Sequence, residues 1–149
     1  MYAPHTVTLY NVTEDPETLE VKNNITILSG VFLDRSQAAN IEKSGLRDAD
    51  AATLFIPFSV TAVDAGTEEE KQYIGPNAYR SLVNKTGYWT LDPGGVSSSV
   101  DCFFIKGVVV SDESYSTLRE QYDDVYDVTT VDTRDFGSKS MQHWQVGGR

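Results

Sequence analysis

The stretch Thr6-Val7-Thr8-Leu9-Tyr10 alternates, so Val7 and Leu9 share one face of an extended chain. The same two-residue period returns downstream. Ile25, Ile27, Val31 and Leu33 are expected to share a face across Asn24–Leu33, with Gly30 as a bulge or close backbone approach. Thr53-Leu54-Phe55-Ile56-Pro57-Phe58-Ser59-Val60 reads as a third strand, and Pro57, which cannot donate to a ladder, assigns it to an edge or a bulge. Tyr88-Trp89-Thr90-Leu91 is a short strand closed by the turn Asp92-Pro93-Gly94-Gly95. With Cys102–Val110, Val125–Val131 and Gln142–Val146 the strands number about seven. Short strands separated by turns predict a mainly β fold, a small β-barrel or sandwich with one short helix and a long inserted loop.

That helix is expected after Asp112, its cap, with Glu113 in the first turn and Tyr115, Leu118 and Tyr122 on one face. Asp34–Gly45 reads either as a helix ended by Gly45 or, the reading adopted, as a strand turning back through Ser44-Gly45. Ala62–Val83 is the long excursion from the β core: Thr67 and Glu70 match a capping box, while Pro76 limits any helix there to about two turns.

The chain has 149 residues, suited to a single domain over 1–149. Eight Tyr, six Phe and two Trp are enough for a folded core. Lys and Arg number 12 against 22 Asp and Glu, for a net charge of −10. Wrapping DNA through its phosphates needs the opposite balance, so direct nucleic-acid binding is not expected. No basic leader precedes an apolar run at the start, and no apolar stretch reaches the roughly 18 residues of a membrane span, so a soluble protein made in a cytoplasm is expected. Cys102 is the only cysteine, which rules out an internal disulfide, and its apolar surroundings fit a buried hydrophobe better than a nucleophile.

Catalytic motifs are missing: there is no Gly-x-Ser-x-Gly, His-Glu-x-x-His, phosphate loop or Cys-x-x-Cys. His5 and His143 could meet if the terminal strands pair, yet two histidines alone make no metal site. Asp123, Asp124 and Asp127, and Asp132 with Asp135, lack calcium-loop spacing and read as a solvated face. No enzyme activity, cofactor or metal is expected. Phe55, Trp89, Phe103, Phe104 and Trp144 lie within strand patterns and are expected in the core, whereas Tyr73 and Tyr79 need another surface, such as a partner subunit.

Several stretches carry a resemblance: Pro4-His5-Thr6-Val7-Thr8-Leu9-Tyr10-Asn11, Val31-Phe32-Leu33-Asp34, Lys43-Ser44-Gly45-Leu46 with Ala49-Asp50, and Leu54-Phe55-Ile56-Pro57-Phe58. Gly87-Tyr88-Trp89-Thr90-Leu91, Asp101-Cys102-Phe103-Phe104-Ile105-Lys106-Gly107, Asp135-Phe136-Gly137 and His143-Trp144-Gln145-Val146-Gly147-Gly148 extend it over nearly the whole chain. They resemble a family of small neck, or head-completion, proteins of siphophages infecting Gram-positive bacteria. The resemblance implies a structural virion protein made in the host bacterial cytoplasm. Its expected role is a head-closure (stopper) or head–tail connector subunit in a twelve-membered ring, with portal and adaptor proteins above and tail-terminator or tail proteins below. DNA would pass nearby without specific binding, no membrane is involved, and no catalytic residues transfer. A tail-completion, terminator or minor capsid protein is the alternative within the resemblance; a carbohydrate-binding module using exposed aromatics is the alternative outside it. On this reading Thr67, Glu68, Glu69 and Glu70 would line a channel that must not hold DNA, and Tyr73, Ile74 and Tyr79 would clasp a neighbouring subunit.

Overall fold

The computed structural model describes residues 2–15, 17–35, 51–93 and 100–149, with backbone alone at residues 100 and 101. The alternating stretches form β1 (His5–Glu14), β2 (Val21–Arg35), β3 (Ala52–Pro57), β4 (Thr61–Asp64), β5 (Gln72–Tyr73), β6 (Tyr88–Trp89), β7 (Val100–Lys106), β8 (Val125–Arg134) and β9 (His143–Gly148). Among the described residues helix is confined to α1 (Pro76–Ser81), α2 (Tyr115–Gln121) and a 3-10 turn at Lys139–Met141. The chain is mainly β, as its alternation predicts. Among the described residues no helix is long and apolar enough to cross a membrane.

Pairing runs β1-β7-β8-β9-β3-β2, and β2 pairs back onto β1, so the antiparallel ladder closes into a barrel. Closure removes the two edges an open sheet would present. β4 continues the path of β3 alongside β2, from Ser29↔Thr61 to Thr26↔Asp64. β5 and β6 form a separate two-stranded parallel pair.

Gly30 bends the longest strand. Its φ is +87°, and the β1–β2 register jumps from Thr6↔Ser29 to His5↔Val31, leaving Gly30 as the extra residue of a bulge. A bulge reverses the in–out parity of everything beyond it. Leu28, Val31 and Leu33 therefore all point into the barrel, while Ile25 packs with Tyr10 and Phe103 on the other face. The expectation that Ile25, Ile27, Val31 and Leu33 share one face is corrected by the bulge the same stretch encodes. Pro57 is corrected too. β3 is interior, between β2 and β9, and Pro57 ends it, beyond the last β2 pair at Phe55, so its missing N–H breaks no bond to β2.

Both faces of β1 are buried, which alternation does not foretell. Val7 and Leu9 join the barrel core with Leu54, Ile56, Phe104 and Val146. Outside, the chain after β7 turns back at Gly107 and lies across β1. The Thr8 hydroxyl donates to Gly107 O at 2.7 Å and accepts from Val109 N at 2.9 Å, and the Tyr10 hydroxyl donates to Ser111 O at 2.7 Å. α2 then covers Tyr10 and Phe103, whose rings stack at 4.6 Å, with Leu118 buried and Tyr115 against Phe103 at 4.9 Å. Its cap is Ser114, whose hydroxyl accepts from Thr117 N, rather than the expected Asp112. Tyr122, expected on the packed face, is the C-cap and 38% exposed.

The segment 62–83 is built rather than looped, since it contains most of β4, then β5 and α1. Pro76 does not end a helix begun at Thr67; it starts α1, where its fixed φ and missing N–H cost nothing. Beyond Arg35, the strand expected over Asp34–Gly45 lies outside the described residues, as do the glycines of the Asp92-Pro93-Gly94-Gly95 turn.

Candidate functional site

Asp64 builds the acidic part of that segment. Its Oδ2 accepts from the backbone N–H of Gly66 at 2.9 Å and Thr67 at 3.0 Å, and from the Thr67 hydroxyl at 3.3 Å. Glu68 enters the left-handed region at φ +61°, its N–H donating to Asp64 O, while Asp64 N donates to Glu69 O. Val63 bridges Glu70. The result is a tight hairpin in place of the expected capping box; the Thr67 hydroxyl accepts from Glu69 N at 3.3 Å and makes no reciprocal cap with Glu70.

Lys71 pins this hairpin to the barrel. Its ammonium, 4% exposed, lies 3.2 Å from Asp64 Oδ1 and donates to Ile25 O at 3.1 Å and Thr26 Oγ1 at 3.0 Å. Burial lowers the Lys71 pKa, with Asp64 opposing. Burial pushes the Asp64 carboxyl up, but the amides of Thr67 and Gly66 and the Lys71 ammonium outweigh it and hold the group below its usual value. Thr67, Glu68, Glu69 and Glu70 are all exposed.

The hairpin shares its end of the barrel with an acidic β1–β2 tip and a charge-balanced β8–β9 tip. Thr13 pairs with Val100 and Ile105 with Val125, so the Glu14 end of β1, the start of β7 and the Arg134 end of β8 point the same way. The β1–β2 tip exposes Glu14, Asp15, Glu17 and Glu20, whereas the β8–β9 tip sets Asp132 and Asp135 beside Arg134 and Lys139.

Three later side chains of 62–83, Tyr73, Ile74 and Tyr79, pack inward, while Val83 is fully exposed. Tyr73 lies 4.3 Å from the Trp144 ring and 5.0 Å from Trp89, half-buried against the core. Ile74 is half-buried, its N–H donating to Trp89 O. Tyr79, expected to be available to a neighbour, is instead fully buried, with its hydroxyl lacking a partner; burial pushes that phenol far above its ordinary range. Asp92, 2% exposed, pairs with Arg80 at 2.8 Å. Asn11 reaches from β1 to Thr90, donating to its O at 2.9 Å and accepting from its N at 3.3 Å. Cys102 lies in the same cluster, 3.5 Å from Asn11 Nδ2, and burial raises its thiol to about 12, the opposite of an activated nucleophile.

His5 and His143 stay apart. Leu33 N donates to His5 Nδ1, and His143 Nδ1 lies 2.8 Å from Met141 O. Between them runs an outward aromatic ladder that sequence reading missed: Tyr2–Phe32, His5–Phe32, Phe32–Phe55 and Phe55–His143, at centroid distances of 5.5–6.4 Å. Phe55 thus leaves the expected core set, whereas Trp89, Phe103, Phe104 and Trp144 are in it. Asp124 is taken by Arg35 at 2.9 Å and Asp132 lies 3.8 Å from Arg134. Among the described residues no three acidic, His or Cys side chains converge on a metal position. An open groove of about 530 Å³ beside the hairpin is lined by Glu70, Lys71, Gln72, Thr86, Gly87 and Tyr88, with no paired nucleophile and base among them.

The only local signal for the hairpin was Asp64-Ala65-Gly66-Thr67, an Asx-turn pattern. Lys71 carried none, because its burial comes from β2. The chain belongs to DUF6751, a family of unknown function, whose model matches residues 2–149. Comparison with curated proteins and with solved structures gives no match.

Proposed function

We propose that the chain is a structural, non-catalytic subunit of a tailed-phage neck, a head-closure or head–tail connector protein working as a ring. The observation that supports this best is the acidic hairpin at one end of the barrel. Glu68–Glu70 sit on a hairpin fixed by Asp64 and Lys71, at the same end as the acidic β1–β2 tip. Carboxylates held there repel phosphates at short range, with salt screening the field beyond about 8–10 Å. A wall that must let DNA pass without gripping it has this chemistry. Portal and adaptor proteins on one side and tail proteins on the other are the partners this reading requires.

Deleting the gene tests it. Filled heads that leak DNA or fail to join tails are expected, with the protein's density in particle images between head and tail; normal infectious particles would overturn the reading. Density inside the tail tube or on the capsid would instead select the tail-completion or minor capsid alternative. Replacing Glu68, Glu69 and Glu70 together by Lys should leave the fold intact and impair DNA passage.

One observation favours the carbohydrate-binding alternative, namely the outward ladder of Tyr2, Phe32 and Phe55. Its rings are tilted by 41–54° to their neighbours rather than coplanar, so they cover one another more than they offer a platform. Glycan binding abolished by Phe32→Ala would support that reading over the neck.

A further inference from the structure

Two tips at the acidic end of the barrel display apolar side chains. At the β1–β2 tip, Leu19 is 67% and Val21, the first residue of β2, 66% exposed; between β8 and β9, Phe136 is 69% and Met141 55% exposed. The strand order β1-β7-β8-β9-β3-β2 sets the β1–β2 pair across the barrel from β8–β9. The two patches therefore sit on opposite sides of the same end.

Leu19 breaks a local rule twice. Its φ of +60° puts an ordinary residue in the left-handed region, which disfavours a side chain with a Cβ. That strain leads not into a core but to an exposed apolar side chain. The surrounding loop holds it there: Asp15 Oδ1 accepts from Glu17 N at 2.8 Å and Thr18 N at 3.3 Å, and Leu19 N donates to Asp15 O at 2.8 Å. Strain maintained by its neighbours and spent on display points to a contact.

Charge indicates which contact. Glu14, Glu17 and Glu20 flank Leu19, whereas the opposite tip carries Lys139, exposed and without a salt bridge among the described residues. Asp135 is also there, and Arg134 has Asp132 beside it. We infer that copies of this chain associate head to tail, the Leu19–Val21 tip of one seated on Phe136 and Met141 of the next, with Lys139 facing Glu17 and Glu20. Patches on opposite sides make the contact heterologous, and such contacts close into a ring or run into a filament. The inference rests on the ring reading for closure alone; the pairing of the tips stands on their geometry.

The test uses the isolated full chain, so its failure is distinct from failure of the particle experiment. Cys102 is fully buried and does not interfere. L19C mixed with M141C under mild oxidation should give a disulfide-linked dimer, while either variant alone gives little. Leu19→Asn, a residue at ease with positive φ, should leave the thermal midpoint equal or higher yet weaken self-association by about tenfold in sedimentation velocity. The inference is overturned if L19C alone cross-links as fast as the mixture, if the mixture does not cross-link, or if Leu19→Asn associates like the wild type.

Discussion

Gly148→Ala adds one methyl group at the end of β9. The barrel makes it costly. A Cβ at Gly148 would lie 2.9 Å from Tyr126 Cβ and 3.0 and 3.1 Å from Phe104 Cζ and Cε1, roughly 0.5 Å inside ordinary contact. Tyr126 Cβ is fixed to its backbone, and Phe104 is fully buried in the core. Neither can yield without moving a strand. Gly148 itself is held on both sides, against Ala52 of β3 and Val128 of β8. Overpacking of this kind costs about 1–3 kcal/mol. For a chain near 150 residues, each kcal/mol shifts the midpoint by roughly 2–4 °C, so a fall of about 2–12 °C is expected. Urea unfolding followed by circular dichroism gives the same quantity, with the slope unchanged because the exposed surface is unchanged. A variant within about 0.5 kcal/mol of wild type would refute the reasoning, since β9 could not then run through a filled barrel wall to its last residues.

Gly75→Ser should act in the opposite direction. Gly75 caps α1 without a side-chain bond and has open space at its Cβ position, so a hydroxyl cap and a less flexible unfolded chain should stabilise by about 0.5–1 kcal/mol in thermal melts. Alkaline pH should unfold the protein early. Burial raises Cys102 from 9.0 to about 12 and Tyr10 from 10.0 to about 12, so the stability of these neutral groups is full below their unfolded values and lost as pH rises toward 12. In Cys102→Ala the decline should begin near pH 10 rather than 9, whatever its offset at neutral pH; an unchanged onset in urea midpoints across that range would contradict the burial argument. Asp64→Asn removes the anion facing a buried Lys71 and should cost about 1–3 kcal/mol, against a near-neutral Glu69→Ala. Because the folded Asp64 pKa is lowered, its contribution is present above the ordinary carboxylate value and lost as pH falls through the folded one, so the variant's stability should vary less with pH on acidification.

Sequence alone determined what depends on neighbours a few residues apart. Period-two alternation gave β1, β2 and β3 and the β-rich class, Gly30 announced a bulge, and the i, i+3 spacing of Tyr115 and Leu118 gave the packed face of α2. The acidic balance and the exposure of Glu68–Glu70 were legible for the same reason, since charge needs no partner to declare itself. Tertiary structure decided the rest. The Gly30 bulge reversed the facing of Ile25 relative to Val31, and only the β1 register shows by how much. Thr8 and Tyr10 became core residues because a chain segment a hundred positions away lies across them. Tyr73 and Tyr79 found within the chain the surface they were expected to seek on a neighbour, and Phe55 turned outward to join a ladder built from four separate segments. Alternation specifies that a residue has two sides, but what covers each side is set by closure of the barrel, and closure is a property of non-local pairings that no window of sequence contains.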